Sequence, residues 1–240
     1  MKWSAALKEC GSITGCILSN ELLDAFPVHL VRMEDVLKEI YLDLDAGENR
    51  LVERTGDLSS NELAAYFSEF SLVIGKGHTT EVNLAIRDWL HEINDALLRG
   101  FILTIDYGYP SWDYFSEDRD RGTLMCYHKH RLSEDPYVNI GEQDITAHVN
   151  FSAVKKWGED LGIKTAGFCG QGVFMVSLGI EEDLKRIAEG TKDYVFEIAR
   201  IKKLILPQGM GESHKVLVQY KGVESPKLRG FSMRNQIRVL

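Results

Sequence analysis

SNELLDAFPVH, residues 19–29, follows the short apolar run at 13–18. That run has the length and composition of a buried strand. It stops abruptly and delivers Asn20, Glu21 and Asp24 to one place. In open parallel sheets the ligand lies beyond the carboxyl ends of the strands. A second stretch has the same layout: GFILTIDYGYP, residues 100–110, is an apolar strand that ends in Asp106, Tyr107 and Gly108. Before it, Val82, Ala85, Ile86, Trp89, Leu90, Ile93 and Leu97 recur at helical spacing, and Arg99 with Gly100 supplies a stop. Helix followed directly by strand is the repeating unit of a parallel sheet. The reading is an α/β fold with a ligand site at its strand ends.

The flanking segments extend this pattern. Residues 28–33, 36–44 and 50–54 are short β-branched or alternating runs with a turn signal at 45–49, so an antiparallel meander is expected after the first strand, as an insert at about 28–58. Residues 61–70 predict a short helix capped by Ser59 or Ser60. Residues 123–127 predict a short strand, and 132–150 read as mostly irregular. Phe151, Val154, Trp157 and Leu161 mark a second amphipathic helix, followed by a strand at 163–168. A small helical insert is expected over 171–205, in pieces at 171–178, 180–190 and 193–204. A last strand at 214–220 closes the sheet, and the tail beyond Pro226 is basic and weakly patterned.

Composition narrows the function classes. The chain has 240 residues, 44% hydrophobic and 27% charged, which suits a globular protein with a sizeable core. A net charge of −8 argues against nucleic acid as partner, because phosphate recognition needs clustered Lys and Arg. Local basic patches are possible around Lys129 to Arg131 and at Lys202-Lys203, and the first, with its histidines, reads as a basic lip for an acidic partner. No apolar run approaches the ~20 residues that span a bilayer. Cys10, Cys16, Cys126 and Cys169 form no C-x-x-C pair and read as free, mostly core-filling thiols in a reducing compartment. His128 and His130 share one face of a strand, but no third ligand stands near them, so no metal is expected.

Seven segments in order carry a family resemblance: SNELLDAFPVH, EVNLAIRDWL (81–90), GFILTIDYGYP, RGTLMCYHKHR (121–131), GEQDITAHVNFSAV (141–154), GQGVFMVSLGI (170–180) and MGESHKVLVQYKG (210–222). Together the chain resembles the MidA-like family of S-adenosylmethionine-dependent methyltransferases over nearly its whole length. The resemblance implies a class I methyltransferase (Rossmann-like) sheet and S-adenosyl-L-methionine as cofactor. It also implies that the chain is the C-terminal portion of a methyltransferase domain. No apolar strand here leads into the glycine-rich loop that follows the first strand of such sheets. Three strands with their helices are therefore expected to be lacking, which is roughly a hundred residues at about 30 per βαβ unit. A strand at 13–18 that is apolar on both faces is a central strand by composition. It is expected to pair with a missing N-terminal half or with a second copy. Two substitutions depart from the family pattern: Asn150, where Asp is commoner, and His214, where a bulky aromatic is commoner.

From the residues alone, Asp24 could cap the following turn and Glu21 could be solvated; if the strand end turned into helix, the two would share a face. By analogy with arginine methyltransferases of other families, the resemblance makes Glu21 and Asp24 the catalytic candidates and Asn20 the cofactor contact. A guanidinium stays protonated, so a carboxylate that grips it by charge-assisted bonds could aim one nitrogen at the methyl group. Asp106 and Tyr107 are candidate substrate contacts, with a local turn as the other reading of Asp106. Glu81 with Asn83 reads either as a helix start or as part of the pocket. Gln143, Asp144 and Gln171 read as structural hydrogen-bond partners.

The expected activity is methyl transfer to a protein side-chain nitrogen, arginine by analogy. The alternative is a non-catalytic binding or respiratory-complex assembly module that keeps the substrate half of the fold. By the same resemblance the protein is cytoplasmic if bacterial and mitochondrial if eukaryotic.

Overall fold

The computed structural model describes residues 3–45, 47, 48, 50–129, 131–190 and 194–240. In chain order the elements begin with strands β1 (Ile13–Asn20), β2 (His29–Met33), β3 (Leu37–Asp45) and β4 (Arg50–Gly56), then helix α1 (Asn61–Glu69), strand β5 (Thr79–Val82), helix α2 (Ala85–Ala96) and strand β6 (Leu97–Tyr109). There follow α3 (Ser111–Tyr114), β7 (Met125–His128), β8 (Arg131–Ser133), β9 (Asp144–Thr146), β10 (Val149–Asn150), α4 (Phe151–Asp160) and β11 (Lys164–Gly170). Helices α5 (Gln171–Leu178), α6 (Ile180–Gly190), α7 (Tyr194–Ile205) and α8 (Met210–Ser213) precede the last strand, β12 (His214–Lys221). The chain divides into two compact units.

The first unit gathers residues 1–22, 89–108 and 154–240. Its sheet runs in the order β1-β6-β12-β11. β1 and β6 are parallel, with Ile17 opposite Ile102. β12 is antiparallel to both β6 and β11. The last strand therefore inserts between two others and does not close the sheet at its rim.

Both faces of this sheet are covered, as the period-2 alternation of a strand requires. Ile102 packs with Ile93, Leu97 and Ile163 on one side. Phe101, Leu103 and Ile105 pack with Cys169, Val216, Val218 and Phe231 on the other. The tail is better patterned than its composition suggests, since it places Phe231 in this core. Cys126 and Cys169 are buried, but Cys10 and Cys16 are exposed, so the expectation of core-filling thiols fails for those two.

β1 has the composition of a central strand and the position of an edge. Among the described residues only β6 pairs with it, and Leu18 on it is 63% exposed. Helix α2 passes into β6 without a loop, so β6 is longer at its start than the sequence predicts.

The second unit gathers residues 23–88 and 109–153. Its main sheet is antiparallel, in the order β4-β3-β2-β5, with Val31 opposite both Glu39 and Thr80. The expected meander is therefore present and gains β5 as a fourth strand. The turn residues 46 and 49 lie outside the described residues. A smaller sheet, β8-β7-β9, forms within 125–146: β7 matches the short strand expected at 123–127, while β8 and β9 fall largely where the sequence reads as mostly irregular. These strands are three or four residues long, too short for alternation to show in the sequence.

Helix α1 begins as predicted: Ser60 Oγ accepts the backbone N–H of Glu62 at 3.1 Å. Its buried face, Leu63, Tyr66 and Phe67, joins an aromatic cluster in which the Tyr66 and Phe115 rings lie 6.2 Å apart.

Candidate functional site

The carboxyl ends of β1 and β6 and the start of β12 bring four of the chain's candidate side chains together within the first unit. Asn20 ends β1. Glu21 follows with φ 47°, in the left-handed region that a non-glycine residue enters only under constraint. The constraint is visible on both sides. Glu21 N–H donates to the Ile105 carbonyl at 2.9 Å, and Leu22 N–H donates to Asp106 Oδ2 at 3.2 Å. The chain then runs through bends and turns over 21–26, so the helical face expected to join Glu21 with Asp24 does not form.

The Glu21 side chain is 43% exposed. Its Oε1 accepts from Asn20 Nδ2 at 3.5 Å and lies 3.6 Å from His214 Nε2. His214 is buried against Tyr107, ring centroids 5.4 Å apart at 68°, and its Nδ1 is 3.1 Å from Ser213 Oγ. β12 runs antiparallel to β6 with His214 opposite Tyr107.

Asp106 is fully buried, and both its oxygens accept backbone N–H groups: Oδ1 from Tyr107 at 2.9 Å and Oδ2 from Leu22. It shapes the turn that carries Glu21. Glu21 is therefore the exposed carboxylate of this cluster, and Asp106 is the buried one that holds the backbone. In the sequence His214 stands out only as a departure from the family pattern. Its meeting with Glu21 depends on strand register, for which the sequence carries no local signal.

Asp24 and Glu81 belong to the second unit. Asp24 is buried, and its backbone carbonyl accepts the Ala147 N–H at 2.9 Å. Glu81 is not at a helix start. It lies in β5, and α2 begins at Ala85, where Asn83 Oδ1 accepts the Ile86 N–H at 3.3 Å. The Glu81 carboxylate is 2% exposed and accepts from Thr123 N at 2.9 Å, Leu124 N at 2.9 Å, Thr123 Oγ1 at 3.1 Å and Tyr114 Oη at 3.2 Å. Burial pushes its pKa up, and these donors offset part of that.

Gly122, at φ 81°, lets the loop pass close by; a Cβ there would lie 2.3 Å from Glu81 Oε1. A pocket of about 630 Å³ opens beside Glu81, with Arg32, Glu53, Arg119 and His148 on its walls. Two of its arginines are ion-paired: Arg32 with Glu53 at 3.3 Å, and Arg119 with Asp113 at 2.7 Å while stacked 3.8 Å over the Tyr109 ring.

The remaining candidates are tied into the framework. Asn150 Oδ1 accepts Ser152 N–H at 3.1 Å at the start of α4, while its Nδ2 donates to Tyr66 Oη at 2.7 Å. Gln171 Nε2 donates to the Leu204 carbonyl at 3.0 Å, and Gln143 Nε2 to the Asp135 carbonyl at 3.2 Å. Asp144 opens β9 as an exposed residue. His128 Nδ1 is 2.8 Å from the Glu142 carbonyl, and His130 lies outside the described residues. Among the described residues no cluster of His, Cys, Asp or Glu could hold a metal ion, and no helix is long and apolar enough to cross a membrane.

Comparisons with known proteins bear on this arrangement. A family model described as "Putative S-adenosyl-L-methionine-dependent methyltransferase" matches residues 1–169. The chain belongs to this family. It is 25% identical over 228 residues to the protein arginine methyltransferase NDUFAF7 homolog, mitochondrial, of Drosophila melanogaster, covering 92% of this chain and 50% of that protein. It is similar to a Burkholderia thailandensis protein whose crystal structure is described as that of a "likely methyl transferase" bound to S-adenosyl-homocysteine. There the TM-score is 0.91 and the identity 32%, over 100% of this chain and 61% of that one. A native crystal structure of an uncharacterized protein of the same superfamily and organism gives a TM-score of 0.89 at 32% identity, over 95% of this chain and 61% of that one. The chain thus spans half to three-fifths of the length of these relatives.

Proposed function

We propose that this chain forms the acceptor side of an S-adenosylmethionine-dependent protein methyltransferase, and that the acceptor is a side-chain nitrogen, with arginine favoured. The observation that carries this reading is the exposed carboxylate of Glu21, held in a constrained backbone at the ends of two adjacent parallel strands. Ligands of open α/β sheets bind at such ends. The mixed sheet, in the order β1-β6-β12-β11 with β1 and β6 parallel and β12 antiparallel, supports a reading as part of a class I methyltransferase sheet. Under this reading the relatives' additional length supplies the strands that flank β1.

The residues present fit one wall of a cofactor site. Asn20 ends β1 with an exposed side-chain amide, suited to hydrogen-bond the cofactor's polar groups. Among the described residues no strand leads into a glycine-rich loop, and this reading assigns the other wall to the relatives' additional length. When bound, the cofactor supplies an electrophilic methyl group on a sulfonium.

The chain's own contribution is to bind, aim and deprotonate. Glu21 grips an N–H-bearing cation by charge-assisted bonds and orients one nitrogen. Tyr107 borders the same spot. Methyl transfer would exchange the methyl–sulfur bond, whose electron pair returns to sulfur, for a methyl–nitrogen bond, and Glu21 would take the proton that the nitrogen sheds. The relative's name, which includes arginine methyltransferase, supports a guanidinium acceptor.

To test this, the complete gene product is incubated with cofactor carrying a tritiated methyl group and with lysate proteins. Label should appear in protein and survive acid hydrolysis as a methylated basic amino acid. Cofactor binding without any labelled protein would reject the proposal.

A further inference from the structure

Glu21 is approached from one side only. Asn20 Nδ2 and His214 Nε2 both reach the same oxygen, Oε1, at 3.5 Å and 3.6 Å. Neither touches Oε2. The imidazole is not free to swing: Tyr107 stacks edge-on against it, Ser213 Oγ sits 3.1 Å from its other nitrogen, and its side chain is 11% exposed. The backbone of Glu21 is clamped as well, by Ile105 and Asp106.

We propose that His214 is a positioning residue for Glu21. Its imidazole fixes Oε1 and leaves Oε2 directed to an acceptor that carries an N–H bond and positive charge. This deepens the methyltransferase reading and rests on it for the identity of the acceptor; the Glu21–His214 pair itself stands on geometry alone.

The chemistry follows from the two nitrogens of the ring. Protonated, His214 carries charge on Nε2–H facing Glu21 and donates through Nδ1–H to Ser213 Oγ. Neutral, it loses the net charge that attracts the carboxylate, and Nδ1 can accept from the Ser213 hydroxyl instead of donating to it. Groups around the ring include Glu21 after β1, Tyr107 on β6 and Ser213 on α8, with Glu212 also on α8 and Lys215 next along β12. Asp106 lies opposite Lys215 with its two oxygens accepting backbone N–H groups, and Glu21 is the carboxylate that lies 3.6 Å from the ring's Nε2. Proton gain by His214 should thus be sensitive to the Glu21 charge.

The 240-residue chain, labelled with 15N-histidine, tests this without cofactor or substrate. The seven histidine side chains are followed by NMR across pH, and the His214 signal is assigned by its loss in His214→Gln. Removing a facing negative charge disfavours the imidazolium, so Glu21→Gln should move the His214 midpoint to lower pH by roughly half a unit or more. His29, which pairs with Glu39 at 2.7 Å in the other unit, should not move and serves as the folding control. A second variant, Glu21→Asn, suits the left-handed backbone at this position and shortens the side chain; it should shift His214 the same way.

If both variants leave the His214 midpoint within about 0.2 units while His29 keeps its own, the pair does not exist and the proposal fails. That outcome is separate from failure of the methyltransferase reading, which is judged by labelled product. A His214 shift with no methyl transfer would keep the pair and remove its proposed role in catalysis.

Discussion

Glu21 occupies the left-handed region with φ 47°, a cost of order 1–3 kcal/mol that the surrounding bonds must offset. Such strain is retained where it aims a side chain. If Glu21 pairs with a cationic acceptor in the transition state, Glu21→Gln keeps the volume and loses the charge. A charge-assisted bond is worth roughly 1.5–3 kcal/mol, so methyl transfer by the complete gene product should fall about ten- to a hundredfold with cofactor affinity little changed. A rate within a factor of about two of wild type would exclude Glu21 as the orienting carboxylate.

A different carboxylate controls acid stability. Burial pushes Glu39 up, but bonds from His29, Ser59 and Tyr41 outweigh it and bring its pKa from 4.5 down to about 2. A depressed folded pKa contributes stability that is complete above the unfolded value and lost as pH falls toward the folded one. At 1.36 kcal/mol per unit the contribution is about 3 kcal/mol. Glu39→Gln should therefore lower stability near neutral pH by roughly 2–3 kcal/mol and flatten its dependence between about pH 5 and 2, read by urea melts at stepped pH.

The elements of the second unit are joined by polar side chains whose loss should be felt over whole segments. Asn150 closes the start of α4 with Oδ1 and ties that start to α1 through Tyr66. Loss of a cap and of a buried bond together predict that Asn150→Ala costs about 2 kcal/mol. Asn150→Asp should cost less, because the carboxylate still caps and the Tyr66 hydroxyl can turn to donate. Thermal melts of the two variants give the order.

Gly122 is the corresponding backbone position. Alanine there would be strained at φ 81° and would collide with Glu81, whose carboxylate holds the backbone of Thr123 and Leu124. Gly122→Ala should cost at least about 2 kcal/mol and expose the amides of 123–124 to faster hydrogen exchange. Unchanged exchange would show that the loop does not depend on this close approach.

For the molecule as a whole, the open side of β1 is the feature that most affects behaviour. An apolar strand with unpaired backbone groups is a template for association. Leu18 on it is 63% exposed. We expect the 240-residue chain to associate with rising concentration in size-exclusion chromatography, and Leu18→Lys to reduce that association without lowering the melting temperature. A monomer at every concentration would mean that this edge is tolerated as it stands. The same reasoning makes β1 the place where the relatives' additional length, or a second copy, would pair.

Much of this architecture was legible because the signals are local. The helical spacing through Ile86, Leu90 and Ile93 and the apolar strand at 101–106 are set by which residues must face a core, and α2 and the middle of β6 form where that pattern places them, though β6 begins earlier, at Leu97. Membership of a methyltransferase family was legible in the same way, since its segments are contiguous runs. The acidic residues at the strand ends could be singled out, but not sorted. Asp106 and Glu21 have the same chemistry on paper; what separates them is that one is enclosed by backbone N–H donors and the other is left exposed.

Tertiary structure alone decided three further matters. It put β12 between β6 and β11, it put Glu81 in a strand instead of a helix start, and it brought His214 to Glu21. Each depends on strand pairing between residues distant in the chain. Strand partners and register are chosen by the whole set of competing pairings, and no single segment records that choice.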